Sequence, residues 1–180
     1  MADTVLRGDG FVLRPWRADD LDSLVSHAND EQVSRGVSDR FPSPYTREDG
    51  EAFLAGDVVD LSDPVFAIEI DGQACGGIGA HAGHGERGHS AELGYWLGRH
   101  YWGRGTMSRV VAAYAPWVMR ELHLHRLYAT VLAFNTGSAQ VLRRNGFMEE
   151  GVLRAAVLKR GVLHDLRMFA KVRRSLDDER

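Results

Sequence analysis

The apolar positions of the chain fall into short runs that predict strands and into longer periodic stretches that predict helices. Runs rich in apolar and β-branched residues indicate strands at Phe11–Trp16, at "PVFAIEI" (64–70), at "ACGGIGAH" (74–81), at "SAELGYWLG" (90–98) and at "RLYATVLA" (126–133). The "DGQ" between the second and third of these runs predicts a tight hairpin turn. The segment from Phe147 onward predicts two or more closing strands.

Apolar residues three and four positions apart predict four helices. The first follows an acidic stretch, and the second begins at Thr46, a residue suited to an N-cap, after a loop that contains two prolines. The third runs from about Thr106 to Leu122, and Pro116 inside it predicts a kink or an early end. The fourth begins at "NTGS" and ends where Gly146 supplies a left-handed residue.

This order of elements, β-α-α-β-β-β-α-β-α-β-β, predicts a mixed α/β (α+β) fold whose sheet is largely antiparallel at its start. The chain has 180 residues with 44% hydrophobic and 26% charged, which is typical of one globular domain spanning residues 1–180. The net charge of −3 gives no electrostatic reason to expect direct nucleic-acid binding.

Two further features concern the cellular compartment. The sequence has no run of about 18 apolar residues and no apolar stretch for a signal peptide, so it predicts no membrane span and a cytoplasmic protein. The single cysteine, Cys75, lies among apolar and glycine residues. It is therefore expected to be a small buried hydrophobic residue rather than a nucleophile.

The segment "GYWLGRHYWGRGTMSRVV" (94–111) places a glycine-rich turn where a predicted strand meets a predicted helix. A helix N-terminus has unpaired N–H groups that attract phosphates, and glycines let a ligand approach the backbone closely. Gly103-Arg104-Gly105-Thr106 can therefore bind a phosphate or pyrophosphate, although the glycines alone also suit a sharp turn. The segment matches neither a Walker loop nor the dinucleotide fingerprint, because the expected lysine and third glycine are missing.

Seven segments of the chain together resemble the GNAT superfamily of acyl-CoA-dependent N-acetyltransferases, and most closely its ribosomal-protein N-terminal (RimJ/RimL-like) branch. They are "FVLRPW", "FPSPYTRED", "ELGYWLGRHYWGRGT", "HRLYATV", "NTGS", "NGF" and "HDLRMFA", in family order. The resemblance implies a mostly antiparallel sheet of about seven strands and about four helices. It also implies that the sheet splays between the fourth and fifth strands.

The resemblance also implies a binding site for acetyl-CoA. In the family, a Q/R-x-x-G-x-G/A turn holds the pyrophosphate of coenzyme A, and the matching residues here begin with His100 in place of Gln or Arg. A backbone N–H near Leu97 faces the thioester oxygen. For Trp102, packing is an equal alternative to cofactor contact. The expected cofactor-binding residues are Trp96, Leu97, Trp102, Gly103, Arg104, Gly105, Thr106, Met107, Asn135 and Ser138.

Two residues are candidates for the proton transfers of the reaction. Glu92 is the candidate base, with a structural ion pair as its alternative. Ser138 matches the family's proton donor to the leaving thiolate, while Asn135 would hold the pantetheine; helix capping is the alternative for both. Asp165 matches a position that is often acidic, and its alternative is to organise the last strands.

The acceptor is expected to be a primary amine, either a protein N-terminal α-amine or a small molecule. An α-amine has a pKa of about 8 against about 10.4 for lysine, so a weak base favours the former. A non-catalytic acyl-CoA-binding module and a transferase of another acyl group are the competing functions. A homodimer is a family expectation. The histidine- and glycine-rich loop 81–89 is interpreted as a mobile loop rather than a metal site, and no metal is expected.

Overall fold

The computed structural model describes residues 4–173, which form eight strands and five α-helices. The strands are β1 (Leu6–Gly8), β2 (Phe11–Pro15), β3 (Phe66–Ile70), β4 (Gln73–Ala82), β5 (Ser90–Leu97), β6 (Arg126–Leu132), β7 (Met148–Lys159) and β8 (Val162–Val172). The helices are α1 (Leu21–Ala28), α2 (Glu31–Arg35), α3 (Arg47–Ala55), α4 (Thr106–Glu121) and α5 (Thr136–Arg144). The sheet order is β1-β2-β3-β4-β5-β6-β8-β7. The predicted mixed fold is confirmed.

The described residues form two compact units. The first contains residues 4–79 and 94–113, and the second contains residues 80–93 and 114–173. Strands β4 and β5 and helix α4 each contribute residues to both units. The single domain over residues 1–180 stays a prediction.

In the first unit, strands β1 to β4 form an antiparallel arrangement. Leu13 of β2 lies opposite Ile68 of β3, and both side chains are fully buried. The turn between β3 and β4 consists of Asp71 and Gly72, with φ of 50° and 80°. These left-handed values confirm the predicted tight hairpin.

A buried ion cluster ties the end of β2 to the start of α1. The guanidinium of Arg14 donates two hydrogen bonds of 2.7 Å to the carboxylate of Asp20, and both residues are at most 5% exposed. Arg14 Nε also bonds Glu69 of β3 at 2.5 Å. The hydrogen bond to Asp20, and to a lesser extent the one to Glu69, stabilises the charged guanidinium of Arg14 and raises its pKa above the usual value.

The helices of the first unit start at side-chain caps. Thr46 accepts a hydrogen bond from the backbone N–H of Asp49, and Asp49 bonds back to the N–H of Thr46, which confirms the predicted cap of α3. Asp30 caps α2 by accepting from the backbone of Gln32 and Val33. The short helix α2 was not predicted.

The second unit is built on β6. Its first three residues pair parallel with Ser90–Glu92 of β5, and its whole length pairs antiparallel with β8. Strand β7 pairs with β8 through two register shifts. Leu127 and Phe169 are fully buried in this unit. The pairing of β5 with β6 covers Ser90–Glu92 of β5. That the two strands splay apart after Glu92 stays a prediction.

The structure refines two approximate counts and corrects one expectation. Residues 6–8 form an additional strand, so the sheet has eight strands in the described part of the chain rather than about seven. With α2, the helices number five there rather than about four. Helix α4 continues through Pro116 to Glu121, so the proline does not shorten it. Pro116 has no N–H to donate to the carbonyl of Ala112, four residues earlier. Because Ala112 is exposed, water can hydrogen-bond to that carbonyl instead.

Candidate functional site

The glycine-rich turn of the first unit has the backbone conformation that a phosphate site requires. Gly103 and Gly105 have φ of 73° and 71°, values that other residues adopt only with strain. A Cβ on Gly103 would meet no atom within 4 Å, so one side of this turn is open. Helix α4 begins at the next residue, the buried Thr106, and runs for 16 residues. This geometry fits an anion such as a pyrophosphate.

One hydrogen bond holds the turn to the end of β5, and another holds the residue after β5 to β4. The indole Nε1 of Trp102 donates to the carbonyl of Leu97 at 2.7 Å, although Trp102 is 46% exposed. The backbone N–H of Gly98 donates to the carbonyl of Cys75 at 2.7 Å. Trp102 therefore combines an anchored nitrogen with an exposed ring, which leaves that ring accessible to a ligand.

Basic side chains surround the turn. Arg104 lies on its exposed side, and its carbonyl accepts a 3.1 Å hydrogen bond from Arg109 of α4. Arg109 also donates to the carbonyl of Asp9 at 3.2 Å. Arg99 lies 4.0 Å from the carboxylate of Asp30. The electrostatics therefore favour an anionic group at this turn.

Two glycines of β4 set the position of the last residues of β5. A Cβ on Gly76 would lie 2.5 Å from the carbonyl oxygen of Trp96 and 3.0 Å from the Cα of Leu97. A Cβ on Gly77 would lie 2.9 Å from the indole nitrogen of Trp96 and 3.2 Å from the ring of Trp16. The backbone of Leu97 can therefore approach β4 only because residue 76 has no side chain.

Behind the turn lies a small titratable cluster. Cys75 is fully buried, which confirms its expected burial, and burial raises the pKa of its thiol. A hydrogen bond with Cys75, together with burial, raises the pKa of Tyr101 to about 12. The ring of Tyr101 lies 5.7 Å from that of His27 and 5.2 Å from that of His100. Burial and the nearby His100 lower the pKa of His27.

In the second unit, Glu92 lies on the polar face of the β5–β6 pair. Its carboxylate Oε1 accepts a 3.1 Å hydrogen bond from the hydroxyl of Thr130. Tyr128 lies opposite Glu92 in the register, and burial, with the Glu92 charge, raises the pKa of its phenol. Among residues 4–173 Glu92 forms no ion pair, and its role as the base stays a prediction.

Asn135 and Ser138 lie at the start of α5. The side-chain Oδ1 of Asn135 accepts a 3.1 Å hydrogen bond from the backbone N–H of Ser138, so Asn135 is the N-cap of the helix. Asn135 and Ser138 therefore form the helix cap that was the alternative for both residues. Their roles toward coenzyme A and the thiolate stay predictions. Asp165 accepts a 2.7 Å bond from the backbone N–H of Ala155, inside a register shift of β7, so it organises the last strands.

The histidine-rich loop between β4 and β5 contains a single short 3-10 helix, Gly85–Arg87. Within the part of the chain that the structure describes, no three histidine, cysteine or acidic side chains come together as a metal site. None of the described helices is long and apolar enough to cross a membrane.

The structure adds functional candidates that the sequence did not indicate. Thr130 and Tyr128 lie on β6 in an ordinary alternation of half-buried and buried residues, and their relation to Glu92 depends on the parallel register. The pair "GG" at 76–77 was visible in the sequence and could have indicated a close approach of backbones.

Comparison with known proteins identifies the family. The profile of the acetyltransferase (GNAT) domain matches residues 11–148, so the chain belongs to the GNAT acetyltransferase family. The uncharacterized N-acetyltransferase p20 of Bacillus licheniformis is 29% identical over 177 residues, which cover 91% of this chain and 93% of that protein. The resemblance predicted from the seven segments is confirmed.

Two further similarities concern enzymes of ribosomal proteins. The ribosomal protein uS5-alanine N-acetyltransferase of Escherichia coli K12 is 32% identical over 77 residues, covering 43% of this chain and 40% of that enzyme. The structure of RimL, a ribosomal α-N-protein acetyltransferase in complex with coenzyme A, superposes with a TM-score of 0.83 at 21% identity, covering 94% of this chain and 98% of that one. The chain has the GNAT fold and is an N-acetyltransferase.

Proposed function

We propose that this acetyltransferase transfers the acetyl group to a primary amine, either a protein N-terminal α-amine or a small amine, by direct attack in a ternary complex. The observation that carries the proposal is the turn at Gly103 and Gly105, which is left-handed, open and followed at once by α4. Such a turn suits the pyrophosphate of coenzyme A, with backbone N–H groups as donors.

The remaining cofactor contacts are proposed from the family motifs. Trp102 and Arg104 are exposed beside the turn and are available to the nucleotide part. Thr106 and Met107 are the first two residues of α4 and would contact the phosphates. Trp96 and the backbone N–H of Leu97, which follow one another on β5, would contact the thioester, with the N–H donating to its carbonyl oxygen. Asn135 and Ser138 would bind coenzyme A near its thiol.

The chemistry needs a neutral amine. Its nitrogen forms a bond to the acetyl carbon, the carbon–sulfur bond breaks, one amine proton leaves to a base, and the thiolate receives a proton. Glu92, an exposed carboxylate without an ion-pair partner in residues 4–173, is proposed as the base, directly or through a water. Ser138 is proposed to hydrogen-bond the leaving thiolate.

The proposed preference for an α-amine follows from proton affinity. An α-amine with a pKa of about 8 is partly neutral at pH 7, whereas a lysine amine with a pKa of about 10.4 is almost entirely protonated. A solvent-exposed carboxylate is a weak base, so it suits the first kind of acceptor better. The similarity to an acetyltransferase named for the alanine of ribosomal protein uS5 supports the same choice.

The test is acetylation of a defined amine panel, followed by mass spectrometry. The panel contains peptides with free N-terminal alanine or serine, the same peptides with a blocked N-terminus and one internal lysine, and a polyamine. We expect acetylation of the free N-terminal peptides or of the polyamine, and none of the blocked peptides. Binding of acetyl-CoA measured by calorimetry without acetylation of any amine would instead support a non-catalytic module, and tighter binding of a longer acyl-CoA would support another acyl group.

A further inference from the structure

The proposed base has a single hydrogen-bond donor among the described residues, and this donor lies on the neighbouring strand. Glu92 of β5 lies opposite Tyr128 of β6 in the parallel ladder, and Thr130 is two residues further along β6. Because side chains two apart in a strand share a face, all three project from the same side of the sheet. The Thr130 hydroxyl reaches Oε1 of Glu92 at 3.1 Å.

The surroundings make this contact suited to orientation rather than to stability. On β6, Tyr128 and Thr130 are half-buried, while the alternate residues Leu127 and Ala129 are buried on the opposite face. Glu92 itself is exposed. A single hydrogen bond to an exposed carboxylate contributes little to the free energy of folding, because water competes for both partners.

We infer that Thr130 is a positioning residue that fixes the carboxylate of Glu92 for proton abstraction, an inference that rests on the proposed function. The β-branched side chain of threonine has few rotamers on a strand, so the backbone of β6 sets the direction of its hydroxyl. That hydroxyl holds one oxygen of Glu92, Oε1. The second oxygen, Oε2, has no hydrogen-bond partner among residues 4–173 and keeps its lone pairs for the amine proton or for a relaying water.

Tyr128, the neighbour of Glu92 on β6, adds no charge beside the carboxylate. Burial is the main cause of the raised pKa of its phenol, so this group is protonated at neutral pH. Arg126, the next residue on the same face, is engaged by a two-point ion pair with Glu150, with contacts of 2.8 and 2.5 Å. Arg126 is therefore neutralised by Glu150, and Thr130 remains the one hydrogen-bond donor to Glu92 within residues 4–173.

The test compares Thr130→Val, Thr130→Ser, Glu92→Gln and the double variant Glu92→Gln/Thr130→Val. Valine has nearly the shape and strand preference of threonine but no hydroxyl, while serine keeps the hydroxyl. The single-turnover rate and the KM values are measured with acetyl-CoA and the panel member that the wild type acetylates fastest. Single-turnover conditions prevent product release from hiding the chemical step.

We expect Glu92→Gln to lower the rate about 100-fold, as loss of a general base does, and Thr130→Val to lower it about tenfold, with KM for acetyl-CoA unchanged. Thr130→Ser should recover the rate to within about threefold of wild type. In the Glu92→Gln background, Thr130→Val should cost nothing further, because the residue acts through the carboxylate.

Other outcomes overturn the inference in distinguishable ways. A full additional loss from Thr130→Val in the Glu92→Gln background would show that Thr130 acts independently of Glu92. A wild-type rate for Glu92→Gln would remove Glu92 as the base and this inference with it, while acetyl transfer itself would stand. Acetylation of no panel amine would overturn the proposed function and the inference together. As a measurement independent of activity, a crystal structure of Thr130→Val should show Glu92 in more than one rotamer, and one unchanged rotamer would contradict the positioning role.

Discussion

The indole nitrogen of Trp102 donates a 2.7 Å hydrogen bond to the backbone carbonyl of Leu97, which joins the glycine-rich turn to the last residue of β5. Both residues were expected to contact the cofactor. Through this bond, the orientation of the Leu97 peptide and the shape of the turn depend on one side chain.

Replacement of Trp102 by phenylalanine should therefore affect both stability and cofactor binding. The variant keeps an aromatic ring and loses the donor, so the free energy of unfolding should fall by about 1 kcal/mol. If the turn loosens by the same amount, the Kd for acetyl-CoA rises about fivefold. Urea unfolding and calorimetry measure the two effects, and an unchanged Kd would contradict the proposed coupling.

Gly103→Ala should weaken acetyl-CoA binding through the backbone alone. At φ of 73° an alanine is strained by about 1–2 kcal/mol, although its Cβ would meet no atom within 4 Å. Gly161 offers a matched control in the β7–β8 turn, with φ of 78° and open space around it. We expect both alanine variants to lose similar stability and only Gly103→Ala to bind acetyl-CoA at least about tenfold more weakly. Equal affinities for the two variants would contradict the phosphate site.

Asp20→Ala should be among the most destabilising single substitutions of the first unit. It would leave Arg14, 3% exposed, with Glu69 as its one remaining carboxylate and the carbonyl of Pro15 as a neutral acceptor, and breaking a buried ion pair costs about 3–5 kcal/mol. Asp22→Ala is the matched control, because the Asp22–Arg47 pair is exposed and such pairs contribute about 0–1 kcal/mol. Denaturant unfolding of both variants measures the difference, which should exceed about 2 kcal/mol, and equal losses would contradict a buried Arg14–Asp20 pair.

The sequence predicted the elements whose local chemistry is unambiguous. The hairpin at Asp71–Gly72 and the N-cap at Thr46 depend on residues within four positions of one another, and both form. Strand β1 was missed because three residues carry no measurable alternation and are defined by their pairing with β2. Helix α2, with only five residues, is likewise shorter than a periodic pattern that can be recognised.

For the site, the sequence indicated residues but not their partners. The glycines of the turn and the cap at Asn135 follow from short motifs. These motifs place them correctly at the N-termini of α4 and α5. The contact between Thr130 and Glu92 spans 38 positions and depends on the register of a parallel pair. No local pattern contains that information, because a one-residue shift in register would turn Thr130 to the other face.

The histidine behind the turn predicts a pH dependence of stability. Burial, with His100 as the lesser cause, lowers the pKa of His27 below its usual 6.5 in the folded protein. The unfolded chain therefore binds a proton more readily, so the contribution of His27 to stability is present above about pH 6.5 and is lost as the pH falls. Between pH 7.5 and 5, the melting temperature of the wild type should fall more than that of His27→Gln. Identical slopes for the two proteins would contradict the burial of the imidazole.

Gly76 and Gly77 differ in how freely evolution can change them. A side chain at 77 would meet the indole rings of Trp96 and Trp16, which can turn aside or be replaced by smaller residues. A side chain at 76 would meet the backbone of Trp96 and Leu97, which has no smaller form. Position 77 can therefore change together with its aromatic neighbours. Position 76 admits no compensating partner, so a lineage that retains this strand geometry must retain this glycine.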